Sequence, residues 1–170
     1  MIHVCSLPRL SDTVSQTGAR HVVSLLGNED NLVIPPGVPR ANHLWLKLHD
    51  IAEPRDGYVH PARAHIEELI GFVKRWDRES PLVIHCFAGV SRSTAAAFVT
   101  VCTLNPEGKE AAIAQALRRA SPTATPNVRI VALADDILGR NGRMVEAVTA
   151  IGQGVVLTEA APFRLELVGH

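Results

Sequence analysis

Residues 81–94, with the sequence PLVIHCFAGVSRST, constrain the fold of this chain more than any other segment. Residues 82–84 form a short apolar run of the kind found in a central strand that is buried on both faces. Small and permissive residues follow at 87–91, and the alanine-rich segment that begins near Arg92 has the composition of a buried helix. The segment therefore predicts a strand, a tight loop and the start of a helix.

The loop within this segment has the features of an anion site. Its backbone amides and the N-terminal end of the following helix converge on one point, and both favour negative charge there. Cys86 opens the loop and Arg92 closes it. Amides, a helix N-terminus and a guanidinium group all favour the thiolate of Cys86 over the thiol. Arg92 also offers planar donors that match two oxygens of a tetrahedral oxyanion. The loop therefore supplies both a nucleophile and an anion cradle.

The motif formed by His85-Cys86, residues 87–91 and Arg92-Ser93 resembles the signature loop of the cysteine-dependent protein tyrosine phosphatases. The resemblance is to the small dual-specificity-like members in particular. It is strengthened by the apolar strand before the motif, by Gly89 at its centre and by the helix behind it. It implies hydrolysis of phosphate monoesters through a cysteinyl-phosphate intermediate, with Cys86 as the nucleophile.

The resemblance implies a role for each residue of this signature loop. Arg92 clamps two equatorial oxygens and stabilises the charge of the transferring phosphoryl group. The hydroxyl of Ser93 bonds the thiolate and assists breakdown of the intermediate, although a serine here also suits a helix cap. His85 orients the loop rather than transferring a proton. The phosphate-binding amides are those of Phe87, Ala88, Gly89, Val90, Ser91 and Arg92, with Gly89 in a backbone conformation that other residues avoid.

The reaction also requires a general acid on a separate loop, because the leaving oxygen needs a proton. Residues 42–49 alternate between apolar and polar side chains and predict a strand that delivers Asp50 at its C-terminal end. Asp50 is the favoured acid, since the small dual-specificity-like phosphatases carry theirs at this place. Asp56 is the alternative. It precedes Gly57 in a turn, where an aspartate often serves only to stabilise the turn.

Apolar strands alternate with helical segments along most of the chain. This alternation predicts an α/β fold with a mostly parallel central sheet that is flanked by helices on both faces. Such sheets bind ligands beyond the carboxyl ends of their strands, where Cys86 and Asp50 both fall. Residues 1–152 are predicted to form a single phosphatase domain. Residues 153–170, in which Phe163, Leu165 and Leu167 alternate with other residues, are predicted to form a C-terminal edge strand or an arm.

The composition excludes several classes of function. Lys+Arg and Asp+Glu are equal at 17 each, so no global basic field points to a nucleic-acid or membrane partner. The three cysteines, Cys5, Cys86 and Cys102, have neither a disulfide nor a zinc spacing, which favours a reducing compartment. No segment approaches the roughly 20 apolar residues that span a bilayer. We therefore expect a cytoplasmic enzyme without a metal or cofactor, and the sequence leaves its oligomeric state open.

The side chains of the signature loop bear on the substrate. Residues 87–91 include no lysine, whereas relatives that hydrolyse phosphoinositides commonly carry basic residues there. The sequence therefore favours protein phosphotyrosine, with phosphoserine and phosphothreonine as further substrates. Two alternatives are a rhodanese-like sulfurtransferase and a phosphate-binding module without turnover. The Asp50 strand and the Arg92-Ser93 ending count against the first, and the presence of Cys86, Arg92 and an acid counts against the second.

Overall fold

The computed structural model describes residues 1–28, 32–105 and 107–167 of the 170-residue chain. Within these residues the chain forms five strands, β1 (Ile2–Cys5), β2 (His21–Leu25), β3 (His43–Leu46), β4 (Leu82–His85) and β5 (Phe163–Leu165). The same part of the chain contains six α-helices, α1 (Leu10–Thr17), α2 (Arg63–Arg75), α3 (Arg92–Leu104), α4 (Glu110–Ala120), α5 (Val128–Leu138) and α6 (Arg143–Ile151).

The strands form one sheet in the order β3-β2-β4-β1-β5. The pairs β1–β4, β2–β4 and β2–β3 are parallel, and β5 pairs antiparallel with β1 at the edge. The prediction of a mostly parallel α/β sheet is therefore confirmed. The alternating tail residues contribute an edge strand of the chain's own sheet, and the last three residues of the predicted tail, 168–170, lie outside the described part.

Helices cover both faces of the sheet, as predicted. Residues from α2 to α6 pack with the side chains of one face, such as Val4 and Ile84, to form the main core around the fully buried Phe98. Helix α1 covers the other face, where Leu10 and Val14 pack with residues that include Val83. Helix α3 is buried along almost its whole length, because it lies between the sheet and helices α2, α4 and α5.

Strand β3, which leads towards Asp50, is shorter than the sequence pattern predicts. Strand β3 ends at Leu46 rather than at residue 49. The backbone of His49 bonds the carbonyl of Val59 instead of a neighbouring strand, so the chain leaves the sheet before it reaches Asp50. Helix α2 begins at Arg63, where the amide of Ala62 donates to the side chain of His65. The segment between these elements is therefore a loop, and it carries both candidate acids.

A buried ion pair fixes the helices behind the signature loop. Arg140 donates to Glu110 Oε1 at 2.7 Å, and the two side chains are 7% and 2% exposed. The same guanidinium donates to the carbonyl oxygens of Cys102 and Asn105, which close the C-terminal end of α3. Arg140 thereby joins α3 to α4. In the part of the chain that the structure describes, no helix is long and apolar enough to cross a membrane.

Candidate active site

Four carbonyl oxygens of the signature loop are bonded outwards to three other segments of the chain. The amide of Leu7 donates to the Phe87 carbonyl at 3.0 Å, and the amide of Ala160 donates to the Ala88 carbonyl at 2.9 Å. The amide of Thr125 donates to the Val90 carbonyl at 2.9 Å, and the amide of Asn127 donates to the Ser91 carbonyl at 3.2 Å. In a trans peptide the N–H points away from the C=O that shares its plane. The amides of Ala88, Gly89, Ser91 and Arg92 therefore turn inwards. The Gly89 amide accordingly donates to Cys86 Sγ at 3.3 Å.

Gly89 allows this inward turn. Its φ is +76°, in the left-handed region that side chains disfavour. A Cβ on this residue would lie 3.1 Å from the carbonyl carbon of Cys5 and 3.1 Å from the amide nitrogen of Ser6. The loop is thus packed directly on the backbone that follows β1.

The thiol of Cys86 lies at the bottom of this cradle, beside the start of α3. Cys86 is 2% exposed, and its Sγ lies 3.1 Å from Ser93 Oγ. Ser93 is the second residue of α3, and the N-cap position belongs to Ser91. The hydroxyl of Ser93 therefore faces the sulfur, as the predicted role requires.

Arg92, the last residue of the signature loop's anion cradle, has an unused donor. Its Nη1 donates to the carbonyl of Leu48 at 3.1 Å, which ties the first residue of α3 to the segment before Asp50. The residue is 8% exposed, and its Nε is buried without a hydrogen-bond partner among the described residues. A buried donor is nearly always satisfied in a folded protein. The Nε of Arg92 is therefore a donor that remains available to an acceptor.

Asp50 contacts the signature loop directly. Its Oδ1 accepts a hydrogen bond of 2.7 Å from Ser91 Oγ and another of 2.9 Å from Asn127 Nδ2. Because both donors use Oδ1, Oδ2 is the oxygen that can carry a proton. Asp56 is exposed at a turn in which the Tyr58 amide bonds the Arg55 carbonyl, and it makes no side-chain hydrogen bond to the residues described. The structure therefore brings Asp50, and not Asp56, against the loop.

The loop that carries Asp50 is closed at its base. The amide of His49 donates to the carbonyl of Val59 at 2.8 Å, and the amide of Val59 donates back to His49 Nδ1 at 2.8 Å. The His49 ring stacks edge-on against Tyr58, with 5.0 Å between centroids. Gly27 leaves room for this ring, because a Cβ there would overlap it. These contacts fix the position from which Asp50 extends.

His85 is held between the sheet and the loop. Its Nδ1 lies 3.2 Å from the Cys86 carbonyl oxygen, which only accepts, so Nδ1 carries the hydrogen. Its Nε2 then accepts from Ser24 Oγ at 2.6 Å, and Ser24 Oγ lies 2.8 Å from His43 Nε2. Burial lowers the pKa of His85 to about 4, although the bond to the Cys86 carbonyl acts in the opposite direction. A neutral ring that donates to this carbonyl orients the first peptide of the loop, which turns the Phe87 amide towards the cradle.

The other two cysteines, Cys5 and Cys102, do not lie in an anion-binding loop as Cys86 does. Burial raises the pKa of Cys5 and of Cys102 to about 12, so both remain thiols near neutral pH. All three cysteines are free. Across the described ranges, no group of three His, Cys, Asp or Glu side chains is arranged to hold a metal ion.

Three contributions to the site were not predicted from the sequence. Ser24 lies 61 residues from His85, and no local sequence pattern indicates that its hydroxyl bonds the His85 ring. The contact of the C-terminal segment with the loop, through Ala160 and Ala88, has no local sequence signal. Asn127 was recognisable as the start of a helix because it follows Pro126, but nothing in the sequence indicated its bond to Asp50, 77 residues away.

Comparison with known proteins identifies the fold. No protein-family model matches the sequence, and no curated protein is significantly similar to it. The structure is similar to that of DUSP15, with a TM-score of 0.64 and 18% identity over 88% of this chain and 90% of that one. It is also similar to human tyrosine phosphatase-like serine/threonine/tyrosine-interacting protein, with a TM-score of 0.62 and 16% identity over 81% and 91% of the two chains. The structure of PTPMT1 in complex with PI(5)P is similar as well, with a TM-score of 0.60 and 15% identity over 88% of this chain and 93% of that one.

The chain therefore has the fold of the small dual-specificity phosphatases, as the signature loop implied. The likeness extends over 79–88% of this chain in the structures compared. The identities to these structures are 15–22%, so the likeness is one of fold.

Proposed function

We propose that this protein is a cysteine-dependent phosphatase that hydrolyses phosphate monoesters. The observation that carries the proposal is that the loop whose amides turn inwards around the Cys86 sulfur ends in Arg92, whose buried Nε has no hydrogen-bond partner among the described residues. Asp50 lies at the edge of this site. An anion with several oxygens satisfies the free donors, and a nucleophile at its centre is suited to attack it.

In the proposed mechanism the Cys86 thiolate attacks phosphorus, an S–P bond forms and the bond from phosphorus to the leaving oxygen breaks. The leaving oxygen takes the proton from Asp50 Oδ2. Arg92 and the loop amides hold the non-bridging oxygens throughout. Asp50 then accepts a proton from water as the water attacks phosphorus, and the S–P bond breaks to release phosphate. Ser93 donates to the departing sulfur, so the thiolate is restored.

The proposed substrate is protein phosphotyrosine, with phosphoserine and phosphothreonine as further substrates. Arg92 is the only cationic side chain of residues 86–92, so the cradle itself holds a single phosphate. The PI(5)P complex of the structurally similar PTPMT1 makes phosphoinositides the substrates to test against this proposal. We further propose residues 1–152 as the phosphatase domain and 153–170 as an arm packed on it, acting in the cytoplasm.

Hydrolysis of aryl phosphates in the presence of a chelator tests the mechanism. We expect turnover that Cys86→Ser abolishes, and iodoacetate should modify Cys86 unless inorganic phosphate is present. A sulfurtransferase would instead release thiocyanate from thiosulfate and cyanide, and a binding module would retain phosphate without turnover. Activity that survives Cys86→Ser would contradict the proposal.

The identity of the acid is tested by the leaving group. Asp50→Asn should lower kcat by about 10²–10⁴ for phenyl phosphate, whose leaving group needs a proton, and far less for 2,4-dinitrophenyl phosphate. Asp56→Asn is the matched control and should affect both substrates little. The reverse pattern would assign the acid to Asp56. A panel of phosphopeptides and phosphoinositides then compares the substrate classes by kcat/KM.

A further inference from the structure

Asn127 lies where α5, the Asp50 loop and the signature loop meet, and all of its polar groups are bonded. It is the N-cap of α5, and its Oδ1 accepts from the amides of Arg129 and Ile130 at 3.1 and 3.0 Å. Its Nδ2 donates to Asp50 Oδ1 at 2.9 Å and to the Ile51 carbonyl at 3.3 Å. Its backbone amide donates to the Ser91 carbonyl at 3.2 Å. The residue is 7% exposed.

The two capping bonds determine which end of this side chain faces Asp50. Backbone amides only donate, so the atom that receives two of them is the oxygen. The NH₂ group must then point at the Asp50 carboxylate. Capping fixes the Asn127 side chain at the N-terminus of α5. Its NH₂ group therefore cannot turn away from Asp50, whereas the hydroxyl of Ser91 can rotate.

Resting on the phosphatase function proposed above, we propose that Asn127 is a positioning residue for the general acid. It holds Oδ1 of Asp50, so the proton is carried on Oδ2. It also holds the carbonyl of Ser91 through its own backbone amide, which sets the distance between the acid and the signature loop. Asn127 thereby distinguishes Asp50 from Asp56, whose carboxylate has no comparable donor in the part of the chain described.

Two substitutions separate this role from helix capping. Asn127→Ser retains a capping oxygen but removes the donor to Asp50. Asn127→Asp retains the capping acceptor and sets a carboxylate against Oδ1 of Asp50. With phenyl phosphate we expect each variant to lose about tenfold or more in kcat, a part of the 10²–10⁴ that a general acid contributes. With 2,4-dinitrophenyl phosphate the loss should be much smaller.

The Asp50→Asn background provides the decisive control. If Asn127 acts through Asp50, adding Asn127→Ser to Asp50→Asn should cause no further loss with phenyl phosphate. An equal loss with both substrates, an additive loss in the double variant, or no loss at all would overturn the proposal. The proposed function fails separately, when turnover survives Cys86→Ser. If Asp50→Asn alone shows no dependence on the leaving group, Asp50 is not the acid and the positioning role of Asn127 is overturned with it. Thermal unfolding of each variant accompanies the kinetics, so that a destabilised α5 is recognised.

Discussion

Replacing Gly89 with alanine tests whether the signature loop depends on close packing against β1. Two costs follow from the structure. A non-glycine residue at φ +76° costs about 1–2 kcal/mol. The added methyl group would lie 3.1 Å from backbone atoms of Cys5 and Ser6, and inserting a carbon into such a packed site costs about 1–3 kcal/mol. The total is about 2–5 kcal/mol of unfolding free energy.

Gly18→Ala is the matched control. Gly18 has a similar φ of +68°, but nothing lies within 4 Å of the position that its Cβ would occupy. Only the backbone cost of about 1–2 kcal/mol applies there. In a protein of this size, about 1 kcal/mol shifts Tm by about 2–4 °C. We therefore expect Tm to fall by about 4–20 °C for Gly89→Ala and by about 2–8 °C for Gly18→Ala.

Calorimetry measures the two Tm values, and aryl phosphate hydrolysis measures the effect on the loop. The Ala88 and Gly89 amides must move if the methyl group displaces the loop, and misplacement by about 1 Å costs about 10²-fold in rate. Gly89→Ala should therefore lose kcat/KM by about 10²-fold, whereas Gly18→Ala should keep it. Equal destabilisation of the two variants, with activity retained in both, would refute the packing argument.

Two further predictions concern buried charge and pH. Arg140→Ala leaves the buried Glu110 with only the longer ion pair to Arg143, at 3.6 Å, and should cost up to about 3–5 kcal/mol in urea unfolding. Arg63→Ala breaks only exposed ion pairs and should cost far less, so equal costs would contradict this prediction. Folding lowers the pKa of His85 from 6.5 to about 4. Between these two pH values the unfolded chain binds a proton that the folded protein does not, so the free energy of unfolding falls as the pH decreases from 6.5 to about 4. His85→Gln should remove up to about 3 kcal/mol of that fall. If the variant's unfolding free energy depended on pH as that of the parent protein does, His85 would not be the buried neutral group responsible.

The site depends on connections between distant parts of the chain. The signature loop is bonded outwards to segments at both ends of the sequence, through Leu7 and Ala160. Arg92 bonds the segment that leads to Asp50, and Asp50 in turn accepts a hydrogen bond from Ser91 of the loop. The cradle is therefore set by the assembled domain rather than by the local segment.

The sequence by itself determined the elements whose signals are local. A β-branched apolar run, permissive loop residues and an alanine-rich segment specify β4, the signature loop and α3, since each depends on the intrinsic conformation and burial of neighbouring residues. The spacing of Cys86 and Arg92 and the strand that leads to Asp50 are local patterns of the same kind. They sufficed to predict the α/β fold and to name the residues that the structure brings together.

Only the tertiary structure decided how those residues are held. The bond from Asn127 to Asp50, the chain from His43 through Ser24 to His85 and the contact of Ala160 with the loop all join residues far apart in sequence. Hydrogen bonds of this kind depend on the distance and direction of two groups in space, which the packing of the helices and the register of the sheet fix. The sequence therefore offered Asp50 and Asp56 as rival acids, and the structure brought only Asp50 against the loop.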